Sequence, residues 1–205
     1  MEIIHLPHLI SHSEGLQIQD DHVNSILAKE KGNALYLLQH EPIYTIGRTR
    51  DVSSLKDPNS LPFPATETNR GGQATYHGPG QLVGYPILDL SVRNKDLHHH
   101  LRLIEEALIL TTASYGIQAT RRDGFTGVWV ENRKLASIGV GVRKWVSMHG
   151  FAINVTPECL PPFSAITPCG LGGVQMTCVA LEANTEVTVD HFAATAATIF
   201  KQIFA

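Results

Sequence analysis

Apolar residues recur along this chain with two periods, and the two periods divide it into elements. From about Glu14 to Glu30, Leu16, Val23, Ile26 and Leu27 fall on one face at helical spacing, and Gly32 follows as a stop signal. A second helix is predicted from Asp96, an N-cap residue, with Leu97, Leu101, Ile104 and Leu108 at helical spacing and an end before Gly116. A third is C-terminal, where Val189, Phe192, Ala193, Ala196, Ile199, Phe200 and Ile203 make an apolar stripe.

Between the helices lie strand-like runs. Ala34–Gln39 and Ile43–Ile46 flank His40–Pro42, and Gln81–Leu88 is a further run. Gly127–Val130 and Leu135–Val142 read as a hairpin through Glu131–Lys134, and Phe151–Val155 follows a break at His149–Gly150. The proline-rich stretch Asp57–Pro64 reads as a loop. The order is mixed rather than a regular βαβα alternation. It predicts an α+β fold in which a mixed sheet carries helices packed mainly on one side, all within a single domain over residues 1–205.

Composition narrows the function. Hydrophobic residues make up 43% and charged residues 17%, the balance of a globular chain. A formal net charge of −3 argues against a protein that binds nucleic acid by its whole surface. No apolar run approaches the roughly 18 residues of a membrane span, and Met1–Ile10 has no basic segment leading into an apolar one. A cytoplasmic protein is expected. Three cysteines without framework spacing suit a reducing compartment, and without a Cys-x-x-Cys pair or a His-Glu-x-x-His motif no metal site is expected. The run His98–His100 reads as a solvated helix start.

Three positions carry candidate chemistry. The segment Arg70-Gly71-Gly72-Gln73-Ala74-Thr75-Tyr76-His77-Gly78-Pro79-Gly80-Gln81 holds five glycines and prolines around a cation, an aromatic and an imidazole. On composition alone it is a tight loop between strands. Its glycines also leave backbone N–H groups able to face a carbonyl or anion between Arg70 and His77. It is neither a P-loop nor a dinucleotide fingerprint. Lys134 opens a strand-like run, where a solvated hairpin lysine is the commoner case. Cys169 lies between Pro168 and Gly170, a turn that presents a thiol rather than packing it. Cys159 sits in a loop, and Cys178 begins an apolar run suited to the core. A cysteine reacts as thiolate, and an adjacent ammonium would hold it ionised. Nothing in the spacing of Lys134 and Cys169 places them together. His149 is open between pocket-lining and core roles.

Taken jointly, these motifs carry a resemblance. Glu41-Pro-Ile-Tyr-Thr-Ile-Gly-Arg48, the segment Arg70–Gln81, Gly127-Val-Trp-Val130, Lys134-Leu-Ala-Ser-Ile-Gly139, His149-Gly-Phe-Ala-Ile-Asn-Val155 and Pro168-Cys-Gly170 recur in order along most of the chain. Together they resemble the octanoyltransferases of lipoate biosynthesis, the lipoyl(octanoyl) transferases.

The resemblance implies a biotin/lipoate protein ligase-like fold. It implies ping-pong transfer of an octanoyl group from octanoyl-acyl carrier protein to a lysine of lipoyl domains, those of 2-oxoacid dehydrogenase complexes and of the glycine cleavage H protein. Cys169 would carry the acyl group as a thioester, and Lys134 would lower the thiol pKa and assist proton transfer. Substrate contacts would come from Arg70, Gly71, Gly72, Gln73, Ala74, Thr75, Tyr76 and His77, from Ser137, Ile138 and Gly139, and from Gly150, Phe151 and Ala152. No cofactor, nucleic acid or membrane is implied. A basic patch drawn from Arg48, Arg50, Arg121, Arg122, Arg143 or Lys144 is a candidate dock for an acidic carrier. The competing readings are an ATP-dependent lipoate-protein ligase on the same scaffold, a non-catalytic acyl or lipoyl-domain binder, and a thioesterase.

Overall fold

The computed structural model describes residues 1–50, 52–167 and 174–205. Its strands are β1 (Glu2–Ile10), β2 (Ala34–His40), β3 (Ile43–Ile46), β4 (Ala65–Glu67), β5 (Thr75–His77), β6 (Gln81–Ile87), β7 (Thr120–Arg122), β8 (Phe125–Val130), β9 (Arg133–Arg143), β10 (Val146–Asn154) and β11 (Gln175–Met176). Its α-helices are α1 (His12–Leu27), α2 (Leu97–Ala113), α3 (Val179–Ala183) and α4 (Val189–Ile203).

The main sheet runs β1-β2-β6-β10-β9-β8-β7, with β11 added parallel to β9. Strands β3, β4 and β5 form a small second sheet. The α+β class with a mixed sheet is therefore observed: β1 pairs with β2 in parallel, whereas β2, β6, β10, β9 and β8 pair antiparallel.

Side-chain alternation along the strands builds two cores. Leu35, Leu37, Leu82, Phe151 and Ile153 face α2 and α4, and Phe151 stacks on Phe200 at 4.9 Å between ring centroids. Tyr36, Leu38, Val83, Tyr85 and Ala152 face the other way, packing with Val23 and Ile26 of α1. Two long helices thus cover one face and the third covers part of the opposite face. Each long helix begins on a side-chain cap: Ser11 Oγ accepts from the Glu14 N–H (3.1 Å), Asp96 from His99 (2.9 Å) and Thr188 from His191 (3.2 Å).

The structure corrects the sequence reading of these elements at three places. The stretch around His149–Gly150 is not a break. Strand β10 runs through it, because β6 and β9 pair along its flanks, and His149 is absorbed at φ 57° as its N–H donates to Gln19 Oε1 of α1 (2.6 Å). Part of the glycine-rich segment is strand β5, paired with β3. His100 is buried in the α2 core face beside Phe204, not solvated. The loop that holds Cys159 includes a short 3₁₀ turn, Pro157–Cys159, and buries its side chain.

Candidate functional site

A slot opens on the α1 face of the sheet, where lateral pairing sets small residues side by side. Ser137 on β9 lies opposite Ala152 on β10, and Ala152 lies opposite Val83 on β6. Further along, Gly139 pairs with Gly150. These short side chains leave a concavity of about 620 Å³, counted out to its open mouth. The wall opposite is the Arg70–Thr75 segment, which approaches so closely that a Cβ on Gly139 would come within 2.6 Å of the Gly71 carbonyl oxygen. The Gly71 N–H donates to the Val140 carbonyl at 3.0 Å and pins this wall to β9. Gly139 is thus needed for this close backbone approach.

Most of the residues singled out from sequence meet here. Arg70, Gly71, Gly72, Gln73, Ala74, Thr75, His77, Lys134, Ser137, Ile138, Gly139, Gly150, Phe151 and Ala152 all line the slot. Tyr76 does not. Strand alternation turns it to the other side of β5, where it packs with Tyr44, Phe63 and Phe163. Burial pushes its phenol up to about 12. Cys169 lies outside the described residues. Three further residues, His12, Val83 and Tyr85, complete the lining, as does His149. His12 and Tyr85 join it through helix packing and strand pairing, for which no local motif exists.

Lys134 is 1% exposed, far from the solvated hairpin lysine that base expectation favours. Its ammonium lies 5.4 Å from the centroid of the Trp129 ring, a cation–π arrangement. Room for the side chain comes from Gly127, at φ 138°, where a Cβ would sit 3.1 Å from Lys134 Cε and 2.6 Å from the Ala136 carbonyl oxygen. The Gly127 N–H is held by the buried carboxylate of Glu105 (3.1 Å), itself paired with Arg102 and Arg121. Strand β11 pairs with β9 at Arg133 and Lys134, so the chain emerging after residue 173 returns directly to the lysine.

Arg70 anchors the opposite side. Its Nη2 donates to the Thr45 carbonyl (2.6 Å) and to Thr45 Oγ1 (2.7 Å), and Nη1 donates to the Gly71 carbonyl (3.0 Å). His12, His77 and His149 lie near it, and His40 packs against His12 and His77. Burial first, and then nearby positive charge or a neighbouring imidazole, lowers the pKa of each: His40 and His149 to about 4, His12 by a smaller amount and His77 well below its ordinary value. His40 and His149 are thus neutral at pH 7, as is His77. Tyr85 donates its hydroxyl proton to His40 Nε2 (2.5 Å), because His40 Nδ1 is committed to the Ile10 carbonyl (3.0 Å).

The two described cysteines offer no rival nucleophile. Cys159 and Cys178 are buried, and burial raises both thiols. Among the described residues no group of histidines, cysteines and carboxylates is arranged to hold a metal ion, and no helix is long and apolar enough to cross a membrane. The basic residues do not form one patch. Arg48, Arg50 and Arg143 share a cleft beside His149, with Arg50 paired to Glu67 and Arg143 to Asp20, whereas Arg121 is tied to Glu105 and Glu106 on the α2 side.

Comparison with known proteins agrees with this architecture. The lipoyl protein ligase A/B catalytic domain family matches residues 11–201. The octanoyltransferase of Geobacter sulfurreducens is 48% identical over 200 residues, covering 98% of this chain and 83% of that protein. That of Citrifermentans bemidjiense is 50% identical over 184 residues, covering 89% and 87%. Among solved structures, lipoate-protein ligase A bound with ATP superimposes with a TM-score of 0.78 at 16% identity, covering 100% of this chain and 86% of that one. The biotin protein ligase of Aquifex aeolicus gives 0.56 at 12%, covering 100% and 68%. At such identities these two likenesses speak for the fold, which is the biotin/lipoate ligase type. The sequence relatives go further, and with them the chain belongs to the lipoyl protein ligase A/B catalytic domain family, among its octanoyltransferases.

Proposed function

We propose that residues 1–205 form one catalytic domain that transfers an octanoyl group from acyl carrier protein to a lysine of a lipoyl domain, in the cytoplasm, by way of a thioester on Cys169. The observation that carries this reading is Lys134, an amine withdrawn from solvent into the lining of the slot, with the strand that follows residue 173 paired against it.

The chemistry closes without a cofactor. The Cys169 thiolate attacks the donor thioester carbonyl, and the leaving carrier thiolate takes a proton from the Lys134 ammonium. The neutral acceptor lysine then attacks the Cys169 thioester, gives a proton to the now neutral Lys134, and releases the Cys169 thiolate beside a restored ammonium. Thioester to thioester is close to isoenergetic, and thioester to amide runs downhill. The slot holds the alkyl chain, each buried methylene contributing about 0.8 kcal/mol. Arg48, Arg50 and Arg143 share a cleft with His149, which also lines the slot, and offer an acidic carrier a basic dock.

The test is mass spectrometry of the protein after mixing with octanoyl carrier protein. One octanoyl mass is expected on Cys169, discharged by adding a lipoyl domain and absent in Cys169→Ala. Activity that survives in Cys169→Ala and requires ATP and free octanoate would replace this reading with that of a ligase. Release of octanoate at one rate with and without lipoyl domain would make the chain a thioesterase.

A further inference from the structure

We infer that Gln81 and Asn154 are positioning residues, which hold the backbone of Lys134 and the chain returning from Cys169 in register with the Arg70 wall through a buried, one-directional chain of hydrogen bonds. The inference rests on the role proposed above for Lys134.

The direction of every bond follows from groups that can act in only one sense. The Thr177 carbonyl can only accept, so the partner at 2.9 Å is the Asn154 amide Nδ2, and Asn154 Oδ1 must face Gln81. Gln81 Nε2 then donates to Asn154 Oδ1 (3.0 Å) and to the Tyr76 carbonyl (3.1 Å), which agrees, since that carbonyl also only accepts. Gln81 Oε1 is left to accept from His77 Nδ1–H (2.8 Å). His77 Nε2 therefore carries the lone pair and accepts from the Thr45 hydroxyl (3.3 Å), and Thr45 Oγ1 in turn accepts from Arg70 Nε (3.1 Å) and Nη2 (2.7 Å). At the other end the Thr177 N–H donates to the Lys134 carbonyl (3.0 Å), just beyond the pairing of Gln175–Met176 with Arg133–Lys134.

Thr45, Gln81, Asn154, Thr177 and Lys134 are each at most 3% exposed, so each lost link leaves a polar group stranded away from water. The chain also assigns His77. Both of its ring nitrogens are engaged and it is neutral, so it orients Thr45 and Arg70 and is not the proton acceptor of the transfer. No single bond here is unusual. The consequence lies in the endpoints: one is the guanidinium on the slot wall, and the other is the peptide of the lysine proposed to ionise the thiol.

The experiment compares wild type, Asn154→Ala, the isosteric Asn154→Asp, Thr45→Val, Thr45→Ser and the Thr45→Val/Asn154→Ala double variant. Each is measured for kcat and KM with an octanoyl thioester donor, and for the pH profile of Cys169 alkylation by iodoacetamide. Asn154→Ala is expected to lower kcat by about ten-fold or more, with donor KM within about three-fold, and to move the alkylation inflection up toward the ordinary thiol value of about 8.5. Asn154→Asp keeps activity only where its carboxyl is protonated and can still donate to the Thr177 carbonyl, which adds a descending limb to the pH–rate profile. Thr45→Ser retains the wild-type rate, and the double variant is no worse than the poorer single one, because the chain is already cut.

Losses that multiply in the double variant, or an Asn154→Asp profile without the added limb, would overturn the inference. The two failures are separable. If Lys134→Ala leaves the alkylation profile unmoved, the role of the lysine falls. If it moves the profile and neither Asn154 variant does, only the positioning chain falls.

Discussion

If the slot takes the acyl chain as proposed, Ala152 sets how deep that chain can lie. It sits between Ser137 and Val83 in the sheet row that floors the slot, and it is buried. Ala152 lines the slot and also belongs to the core cluster with Val83 and Tyr85, so the three carbons added by Ala152→Leu enter the slot with some repacking of its neighbours. The added carbons occupy the place of two to three acyl methylenes. At about 0.8 kcal/mol for each methylene, the octanoyl chain loses about 2 kcal/mol of burial, or about thirty-fold in kcat/KM. A butanoyl donor, which does not reach as far, loses little. Initial rates with butanoyl, hexanoyl, octanoyl and decanoyl donors, measured pairwise in competition, read the change as a shift of the optimum to shorter chains. A uniform fall across all four lengths, with an unchanged melting temperature, would refute the assignment of Ala152 as the floor.

Further outcomes follow from the same structure. Gly127→Ala forces a side chain against Lys134 Cε and the Ala136 carbonyl at a backbone angle that disfavours it, so acylation of Cys169 slows by about ten-fold or more; a rate equal to wild type in a single-turnover assay would count against that packing. His40, His100 and His149 are held neutral with pKa values of about 4, mainly by burial, against about 6.5 when unfolded. The unfolded chain therefore binds more protons between these values, and stability falls as pH drops from about 6.5 to about 4, by at most about 1.4 kcal/mol per pH unit for each histidine. Urea melts at successive pH values check this, a flat profile being the contrary result. Arg48→Glu, at the mouth of the cleft shared with Arg50 and Arg143, raises the KM of an acidic carrier donor, and more so at low salt than at high; no salt dependence would exclude docking there.

Several features were legible along the chain because neighbours a few residues apart encode them. The three long helices follow from apolar spacing of three and four, and Asp96 was readable as a cap because its side chain acts on His99, three residues on. The strands Ile43–Ile46 and Gln81–Ile87 emerged from the sequence within a residue of their observed bounds. The motif glycines pointed to a close backbone approach, and the approach of Gly71 to Gly139 is one. Strand β5 was hidden, since three residues between glycines carry too little pattern, and only pairing with β3 makes them a strand.

What the sequence by itself determined is the inventory: which segments are helical, which residue types carry chemistry, and, through joint motifs, the family. Tertiary structure alone decided that Lys134 is buried, that Tyr76 turns away from the slot while His77 turns toward it, and that His12 and Tyr85 belong to its wall. The physical reason is the range of the forces involved. Capping and periodicity act within a turn or two of backbone. The slot is made by lateral registry, Ser137 against Ala152 against Val83, which joins the consecutive strands β9 and β10 to β6, far earlier in the chain.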